Sequence, residues 1–160
     1  MSDLNPYESF IDHRPLEAIL CDTATSIGRL IAILGPEKSR VRPAPGKWSA
    51  AEIICHLADC EVAFAFRLRQ TLAEDAPVIQ PFDQEKWAVP YPGVPAAAAL
   101  EAFAAMRNWN LLLIAKALPG ASGRTVTHPE RGTMTFLTIV ETMAGHDLNH
   151  LGQLQKLAPQ

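Results

Sequence analysis

The stretch TFLTIVETMAGHDLNHLGQLQKL, residues 135–157, decides the fold and carries the first sign of a chemical site. Apolar side chains recur in it every three or four residues, which predicts a helix that starts near residue 133 or 135 and ends near 157. His146 and His150 are one turn apart, so they lie on one face of this helix. At about 100° of rotation per residue, that face is expected to point into the core. The apolar residues on the same face are Ile139, Met143, Leu154 and Leu157.

Three further segments have the same periodicity, at about residues 15–34, 49–72 and 96–118. The second of them starts with a capping box, because Ser49 is followed three residues later by Glu52, and Trp48 is placed to pack onto Ile53. Proline and glycine end the first and third segments. No convincing alternating strand is visible. The pattern therefore predicts an all-α four-helix bundle that forms a single domain over residues 1–160.

A long connection separates the second and third predicted helices. Residues 76–95 contain five prolines, which excludes a long helix there. Connections of about 20 residues in a compact domain are often functional, so this one is expected to cover one end of the bundle. Trp87 and Tyr91 either line a substrate pocket or pack into the core. A second loop, at 121–133, contains His128, for which a solvated position is expected and a place at a site entrance is the alternative.

The bulk composition restricts the function classes. A formal net charge of −3 offers no basic field for a polyanion, so nucleic acid is not expected as a partner. No apolar run approaches the ~20 residues that span a bilayer, and no signal peptide is recognisable at the N-terminus. The three cysteines lack CxxC spacing and lie in apolar patterns, which predicts buried free thiols rather than disulfides. These features favour a cytoplasmic protein without a membrane partner.

A third histidine belongs to the same pattern. His56 in the second helix falls beside Ile53 and Cys60, on the side that faces the interior. Three imidazoles in one core are costly without a shared partner, and one metal ion satisfies all of them. Three neutral nitrogen ligands and a water molecule form a known open zinc arrangement. The sequence therefore predicts one divalent metal ion at His56, His146 and His150, against the alternative of separately hydrogen-bonded core histidines.

Other metal motifs fit less well. Di-iron bundles use ExxH on two helices, whereas Glu52 and His56 are spaced as ExxxH. The run HDLNH resembles the HExxH motif of zinc proteases, but Asp147 stands where that motif has glutamate. Asp59 and Asp147 are candidates to orient a ligand imidazole through its free N–H. The alternatives are a solvated charge at a helix edge for Asp59 and a buried structural role for Asp147; Gln153 and Glu52 are weaker candidates.

At these residues the chain resembles the DinB/YfiT superfamily of metalloenzymes. The matching elements are Lys47-Trp48-Ser49, Glu52-Ile53, HLAD at 56–59 and GHDLNHLGQL at 145–154. The resemblance implies an up-up-down-down bundle in which His56, His146 and His150 bind zinc, nickel or a similar ion, and it implies frequent homodimers. Some relatives transfer or isomerise adducts of low-molecular-weight thiols such as bacillithiol or mycothiol, and others are described as metal-dependent hydrolases.

Two functions follow as expectations. The first is an enzyme, either a metal-dependent hydrolase or a thiol S-transferase, whose substrate is a small molecule such as a thiol or a thiol adduct. The alternative is a helical bundle that binds a metal or a partner without catalysis. Three strong ligands without a certain fourth favour the enzyme, since a catalytic ion keeps an open position. Catalytic side chains beyond the metal ligands cannot be named from the sequence, and no organic cofactor is expected.

Overall fold

The computed structural model describes residues 4–158 of the chain. Four long helices dominate the structure, as the periodicity predicts. A 3₁₀-helix, Glu8–Phe10, precedes them, and a one-turn helix and a small hairpin lie in the connections. In chain order the elements are α1 (Leu16–Lys38), α2 (Ala50–Ala73), α3 (Gln84–Trp87), α4 (Ala96–Ala121), β1 (Thr125–His128), β2 (Gly132–Thr135) and α5 (Phe136–Leu157).

The helix ends show which sequence signals determine the fold. The capping box forms as predicted, because Ser49 and Glu52 each accept a hydrogen bond from the other's backbone N–H. Gly35 interrupts the regular geometry of α1 with φ 73°, and one further turn carries α1 to Lys38. The capping box fixes the start of α2 nearly two turns before His56, and it thereby sets the level of that imidazole in the bundle.

In cross-section the four long helices stand at the corners of a square, and α1 and α2 occupy opposite corners. Both of these helices pack against α4 and α5. Two apolar clusters fill the interior, one at each end of the bundle. On α2, Ile53 belongs to one cluster and Phe64 to the other, and on α5 the same holds for Leu151 and Met143. Because His56, His146 and His150 lie between these residues along the helices, the three imidazoles sit at the boundary between the two clusters.

Consecutive helices at two of the connections are antiparallel. The backbone N–H of Ala51 donates to the carbonyl of Ser39 at 2.8 Å, so α1 ends beside the start of α2. The backbone N–H of Leu137 donates to the carbonyl of Ser122 at 3.1 Å, so α4 ends beside the start of α5. The chain therefore reverses direction at both of these connections.

The long crossover joins two parallel helices. The Arg124 guanidinium, just after α4, donates to the carbonyl of Thr71 near the end of α2 at 2.9 Å, so both helices end at the same level. The order of directions is therefore up-down-down-up, and the expected up-up-down-down order is wrong. The physical reason is connection length, since only the crossover between α2 and α4 is long enough to return along the whole bundle.

A β-hairpin stands where the sequence predicts only a loop. β1 and β2 pair antiparallel, with Val126 opposite Met134, and Thr127 also bridges to Val78 of the crossover. The hairpin therefore anchors the crossover against the bundle. Two four-residue strands are too short for a clear alternation, although the β-branched run Thr125-Val126-Thr127 is the signal that can be found.

Helix α1 corrects the expectation about membrane-spanning length. By length and composition alone it is apolar enough to cross a membrane, and it is the one such helix among residues 4–158. In the structure it packs one side on α4 and α5, where Ile19, Leu20 and Ile27 are fully buried. Core helices of bundles commonly have this composition, so its hydropathy reflects its packing.

Candidate metal centre

Three imidazoles from two helices converge on one point of the core. The Nε2 atom of His146 lies 3.1 Å from the Nε2 atom of His56 and 3.1 Å from the Nε2 atom of His150. The side chains are 2%, 4% and 6% exposed for His56, His146 and His150. All three predicted residues therefore meet, and one ligand atom from each lies within 4.8 Å of the others.

Hydrogen bonding shows that this cluster is not satisfied by its own members. His150 Nδ1 lies 3.1 Å from Gln153 Oε1, which only accepts, so Nδ1 carries the proton of a neutral ring and Nε2 keeps its lone pair. The His146 Nε2 atom then faces two nitrogen atoms and has at most one proton to share between them. Within the described residues, the buried His146 Nδ1 atom also lacks a hydrogen-bond partner.

Electrostatics keeps the three rings neutral at ordinary pH. Burial, followed by the charge of His150, lowers the pKa of His56 to about 4. Burial and the charges of the other two histidines lower the pKa of His146 well below its usual value, and burial lowers the pKa of His150. A neutral imidazole has a free nitrogen lone pair, which is the form that binds a metal ion.

The donor set fits a divalent transition-metal ion. Three Nε2 atoms that face one another can each direct a lone pair at one cation, and imidazole nitrogen is a good ligand for zinc, nickel, iron and copper. The nearest additional donor is Cys60, whose Sγ is 3.5 Å from Nε2 and 3.8 Å from Nδ1 of His56. Because these two distances are nearly equal, the thiol lies beside the ring and not in line with the Nε2 lone pair. The convergent set is therefore three nitrogen atoms.

Two aromatic residues that the sequence reading did not assign to the site cover the imidazoles. The Trp48 ring lies 4.9 Å from the His56 ring, and the Tyr7 ring lies 5.0 Å from the His146 ring. Tyr7 comes this close because residue 145 is glycine: a Cβ there would overlap the Tyr7 carbonyl oxygen. The pair Gly145-His146 in the sequence is the available signal, although it does not say which segment approaches.

Two cavities reach the centre. The larger one, of about 740 Å³, is lined by Trp48, Gln153 and His150, and the smaller one, of about 160 Å³, is lined by His56 and His146. Tyr7 and Gln84 line both. The histidine centre therefore borders two spaces that small molecules can enter.

The two carboxylates proposed to orient a ligand imidazole have other partners. Asp59 accepts a hydrogen bond from the Tyr91 hydroxyl at 2.6 Å. Asp147 is 1% exposed and accepts from Arg107, with Thr23 Oγ1 also 2.7 Å away. Among the described contacts neither carboxylate hydrogen-bonds to an imidazole, and Asp147 is instead buried in an ion pair with Arg107.

The weaker candidates differ in outcome. Gln153 holds the His150 ring, as described above. Glu52 is engaged elsewhere, because it completes the capping box and forms an ion pair with Arg42. Hydrogen bonds from the Arg42 side chain and from the Ser49 backbone lower the pKa of Glu52, although its burial alone would raise it. Only Gln153 therefore supports the centre directly.

The structure also shows where the loop residues His128, Trp87 and Tyr91 lie. His128 is 5% exposed and lines the smaller cavity, so the solvated position expected for it is wrong and the site-entrance alternative is observed. Trp87 packs against Phe82 and is 40% exposed, and Tyr91 is buried at a third cavity away from the histidines. The crossover does shape the cavities, but it does so through Phe82 and Gln84.

A four-helix bundle that gathers three neutral histidines beside two cavities defines a class of metal-binding bundle proteins. The sequence profile described as the DinB superfamily matches residues 24–154, and the chain belongs to that family. The resemblance read from the histidine motifs is thereby confirmed.

Relatives and a solved structure agree with this assignment. A candidate metal-dependent hydrolase of Oceanobacillus iheyensis is 30% identical over 70% of this chain and 66% of its own length. Another, of Bacillus cereus, is 24% identical over 98% of this chain and 96% of its own. The structure of YfiT from Bacillus subtilis, described as a candidate metal-dependent hydrolase with an unusual four-helix bundle topology, superposes with a TM-score of 0.82 at 16% identity, covering 89% of this chain and 83% of YfiT. At that identity the structural match shows the fold.

Proposed function

We propose that this protein is a metal-dependent hydrolase of a small molecule and that His56, His146 and His150 hold its metal ion. The observation that carries the proposal is the approach of three neutral Nε2 atoms from α2 and α5 at the wall of two cavities. Three protein ligands leave a coordination position for substrate or water, as catalytic zinc sites do. The names of the relatives support the same reaction class.

The residues of the chain have separable tasks in this proposal. A divalent ion at the centre supplies Lewis acidity, which activates water for hydrolysis and equally stabilises a substrate thiolate. Gln153 holds the His150 ring in the tautomer in which Nδ1 carries the hydrogen and the Nε2 lone pair is free to bind the metal ion. Tyr7 and Trp48 cover the rings and exclude bulk water, which strengthens electrostatic interactions inside the site.

Elemental analysis of the purified, tag-free protein tests the metal site. We expect about one equivalent of metal in the parent and in the control variant His13→Ala, whose histidine is exposed. We expect none in His56→Ala or His150→Ala, because two imidazoles bind a divalent ion far more weakly than three. Stoichiometric metal in either of these variants would contradict the assignment.

Thiol S-transfer is the second candidate, and the presence of two cavities favours it. Hydrolysis needs room for one substrate and water, whereas transfer needs room for a thiol and for its acceptor at the same metal ion. The spaces of about 740 Å³ and 160 Å³ that border the histidines meet that requirement. Zinc also accepts sulfur ligands readily.

One pair of assays separates these reactions. The metal-loaded protein is incubated with ester and amide substrates, and separately with a low-molecular-weight thiol and an electrophile, and product formation is followed in both. Turnover of the esters or amides without a thiol supports the hydrolase, and thiol-dependent conjugation supports the transferase. Either activity must disappear in His56→Ala. Stoichiometric metal without either activity would favour the non-catalytic metal-binding bundle.

Several finer expectations stay predictions. Zinc or nickel is the ion favoured by three imidazoles, a homodimer is implied by the family, and a cytoplasmic location fits the free cysteines Cys21, Cys55 and Cys60. We also propose that residues 1–160 form one domain. Light scattering after gel filtration measures the oligomeric state, and metal analysis after expression in defined medium identifies the ion.

A further inference from the structure

The smaller cavity has an unusual distribution of charge. Its floor is formed by His56, His146 and Cys60, and Phe64 and Phe82 form apolar walls. Two arginines, Arg67 and Arg131, also line it. A volume of about 160 Å³ admits a small group, so the cavity suits one end of a substrate.

The two arginines have no carboxylate to neutralise them. Within residues 4–158, no carboxylate oxygen lies within 4.0 Å of either guanidinium group, since all ion pairs found there involve other cations. Glu130 also lines the cavity, but its side chain is exposed. The chain has a net charge of −3, so this concentration of positive charge is a local feature and not a consequence of a basic protein.

Arg67 is held in position by contacts that leave most of its donors unused. Its guanidinium carbon lies 6.0 Å from the centre of the Phe64 ring and 5.7 Å from that of Phe82. The one hydrogen bond found for it among the described residues goes to the carbonyl of Gln80 at 3.3 Å. A guanidinium has five N–H groups, so a planar oxyanion can still be bound by two of them side by side.

The positive charges around the cavity also repel one another. Burial, and after it the charge of Arg131, lowers the pKa of Arg67. Burial and the charges of both arginines lower the pKa of His128, which lines the same cavity. Like charges gathered beside a low-dielectric wall are stabilised by a bound anion, and such clusters are typical of sites for charged ligands.

We propose that Arg67 and Arg131 form an oxyanion subsite beside the histidine centre, which takes the carboxylate of a substrate whose reacting atom lies at the metal ion. The inference rests on the proposed function for the place of the reacting atom. It adds a substrate class, an acid of small size, and it assigns a positioning role to two residues outside the histidine motifs.

Binding of matched probes to the cobalt-loaded protein tests the subsite. The probes are mercaptoacetate, 3-mercaptopropionate and 4-mercaptobutyrate, each compared with its amide, and thiolate-to-cobalt absorption reports binding. We expect at least one acid to bind about tenfold more tightly than its amide, because a charge-assisted hydrogen bond has that magnitude. In Arg67→Gln and Arg131→Gln this preference should fall to about one. Arg29→Gln, which removes an exposed charge from α1, should keep it.

The outcomes separate this inference from the proposed function. Equal binding of acids and amides at all three lengths, no binding of any acid, or an unchanged preference in Arg67→Gln would overturn the subsite while the metal content of the parent stays stoichiometric. Loss of metal from the parent would instead refute the proposed function. For that case, titration of the metal-free protein with succinate is the readout: binding that Arg67→Gln abolishes supports the subsite, and no binding overturns it.

Discussion

Two buried polar clusters lie side by side on the same helices. They differ in whether their own members supply all of the hydrogen-bond and charge partners that they need. In the ion cluster, Arg107 lies between Glu61 and Asp147, with nitrogen–oxygen distances of 2.6 and 2.5 Å. In the histidine centre, three imidazole nitrogen atoms face one another, and His146 Nδ1 has no partner within the described residues. Complementary charges complete the first cluster from the chain alone, whereas the second consists only of neutral imidazoles.

The neighbouring positions of the two clusters along α5 sharpen this difference. His146 and Asp147 are consecutive and nearly fully buried, at 4% and 1% exposure. Burial would lower the pKa of Arg107, but the charges of Asp147 and Glu61 outweigh it and raise that pKa. The lesson is that burial alone does not identify a functional residue; the state of its hydrogen bonds and charges does.

The largest expected effect breaks the ion cluster. Arg107→Met leaves Glu61 and Asp147 as unpaired buried carboxylates, which should lower the free energy of unfolding by about 3–5 kcal/mol. Urea denaturation followed by circular dichroism measures this loss. Lys116→Met, on the exposed side of the same helix, is the control and should change stability by less than about 0.5 kcal/mol.

A compensated variant keeps this prediction testable if Arg107→Met does not fold. Adding Glu61→Gln and Asp147→Asn removes both charges and should recover much of the lost stability, because the cost arises from unpaired carboxylates. A fully stable Arg107→Met variant would show that the cluster is not a stabilising element. The ion cluster could then no longer serve as the example of a buried polar cluster that the chain satisfies by itself.

The sequence predicts one of these clusters far better than the other. The i,i+4 spacing of His146 and His150 and the inward side of His56 suffice to predict the histidine centre, since helix periodicity is local information. The partner of Asp147 is not local: periodicity places Arg107 on the same face of its helix as Phe103 and Ile114, but it does not say which carboxylate Arg107 meets. For the same reason the sequence reading placed Asp147 near an imidazole.

The fold shows the same division between local and distant information. Helix periodicity and the Ser49 capping box predict the four long helices. The order of helix directions, the β-hairpin and the approach of Tyr7 to Gly145 depend on contacts between segments far apart in the chain. The burial of His128 is not predictable from the sequence, because a loop histidine has no periodicity that would show it.

The second prediction adds a divalent cation to the histidine centre. Zinc at about 100 times its dissociation constant should raise the free energy of unfolding by about 2.7 kcal/mol, because the ion binds the folded state. The gain should be absent in His150→Ala and present in His13→Ala. Denaturation with and without zinc measures it, and equal gains in both variants would mean that zinc stabilises the protein elsewhere.

The third prediction concerns the one hydrogen bond that supports the centre from outside. Gln153→Leu removes the acceptor for His150 Nδ1, so the ring loses the contact that fixes its tautomer. We expect about tenfold weaker metal binding, the lower end of the usual range, because Gln153 is exposed. Competition with a chromogenic chelator measures the affinity, and Gln155→Leu on the exposed face of α5 should leave it unchanged.

The smallest expected effect tests how complete the ion cluster is. Thr23 Oγ1 lies 2.7 Å from Asp147 Oδ2 and 2.9 Å from the carbonyl of Ile19, so its hydroxyl hydrogen is shared between two acceptors. Thr23→Val keeps the side-chain shape and should cost about 1 kcal/mol, because Arg107 still neutralises Asp147. The exposed Thr25→Val on the same helix is the control for denaturation. A loss near 3 kcal/mol for Thr23→Val would mean that Arg107 alone does not satisfy Asp147, and both clusters would then depend on a group beyond their charged members.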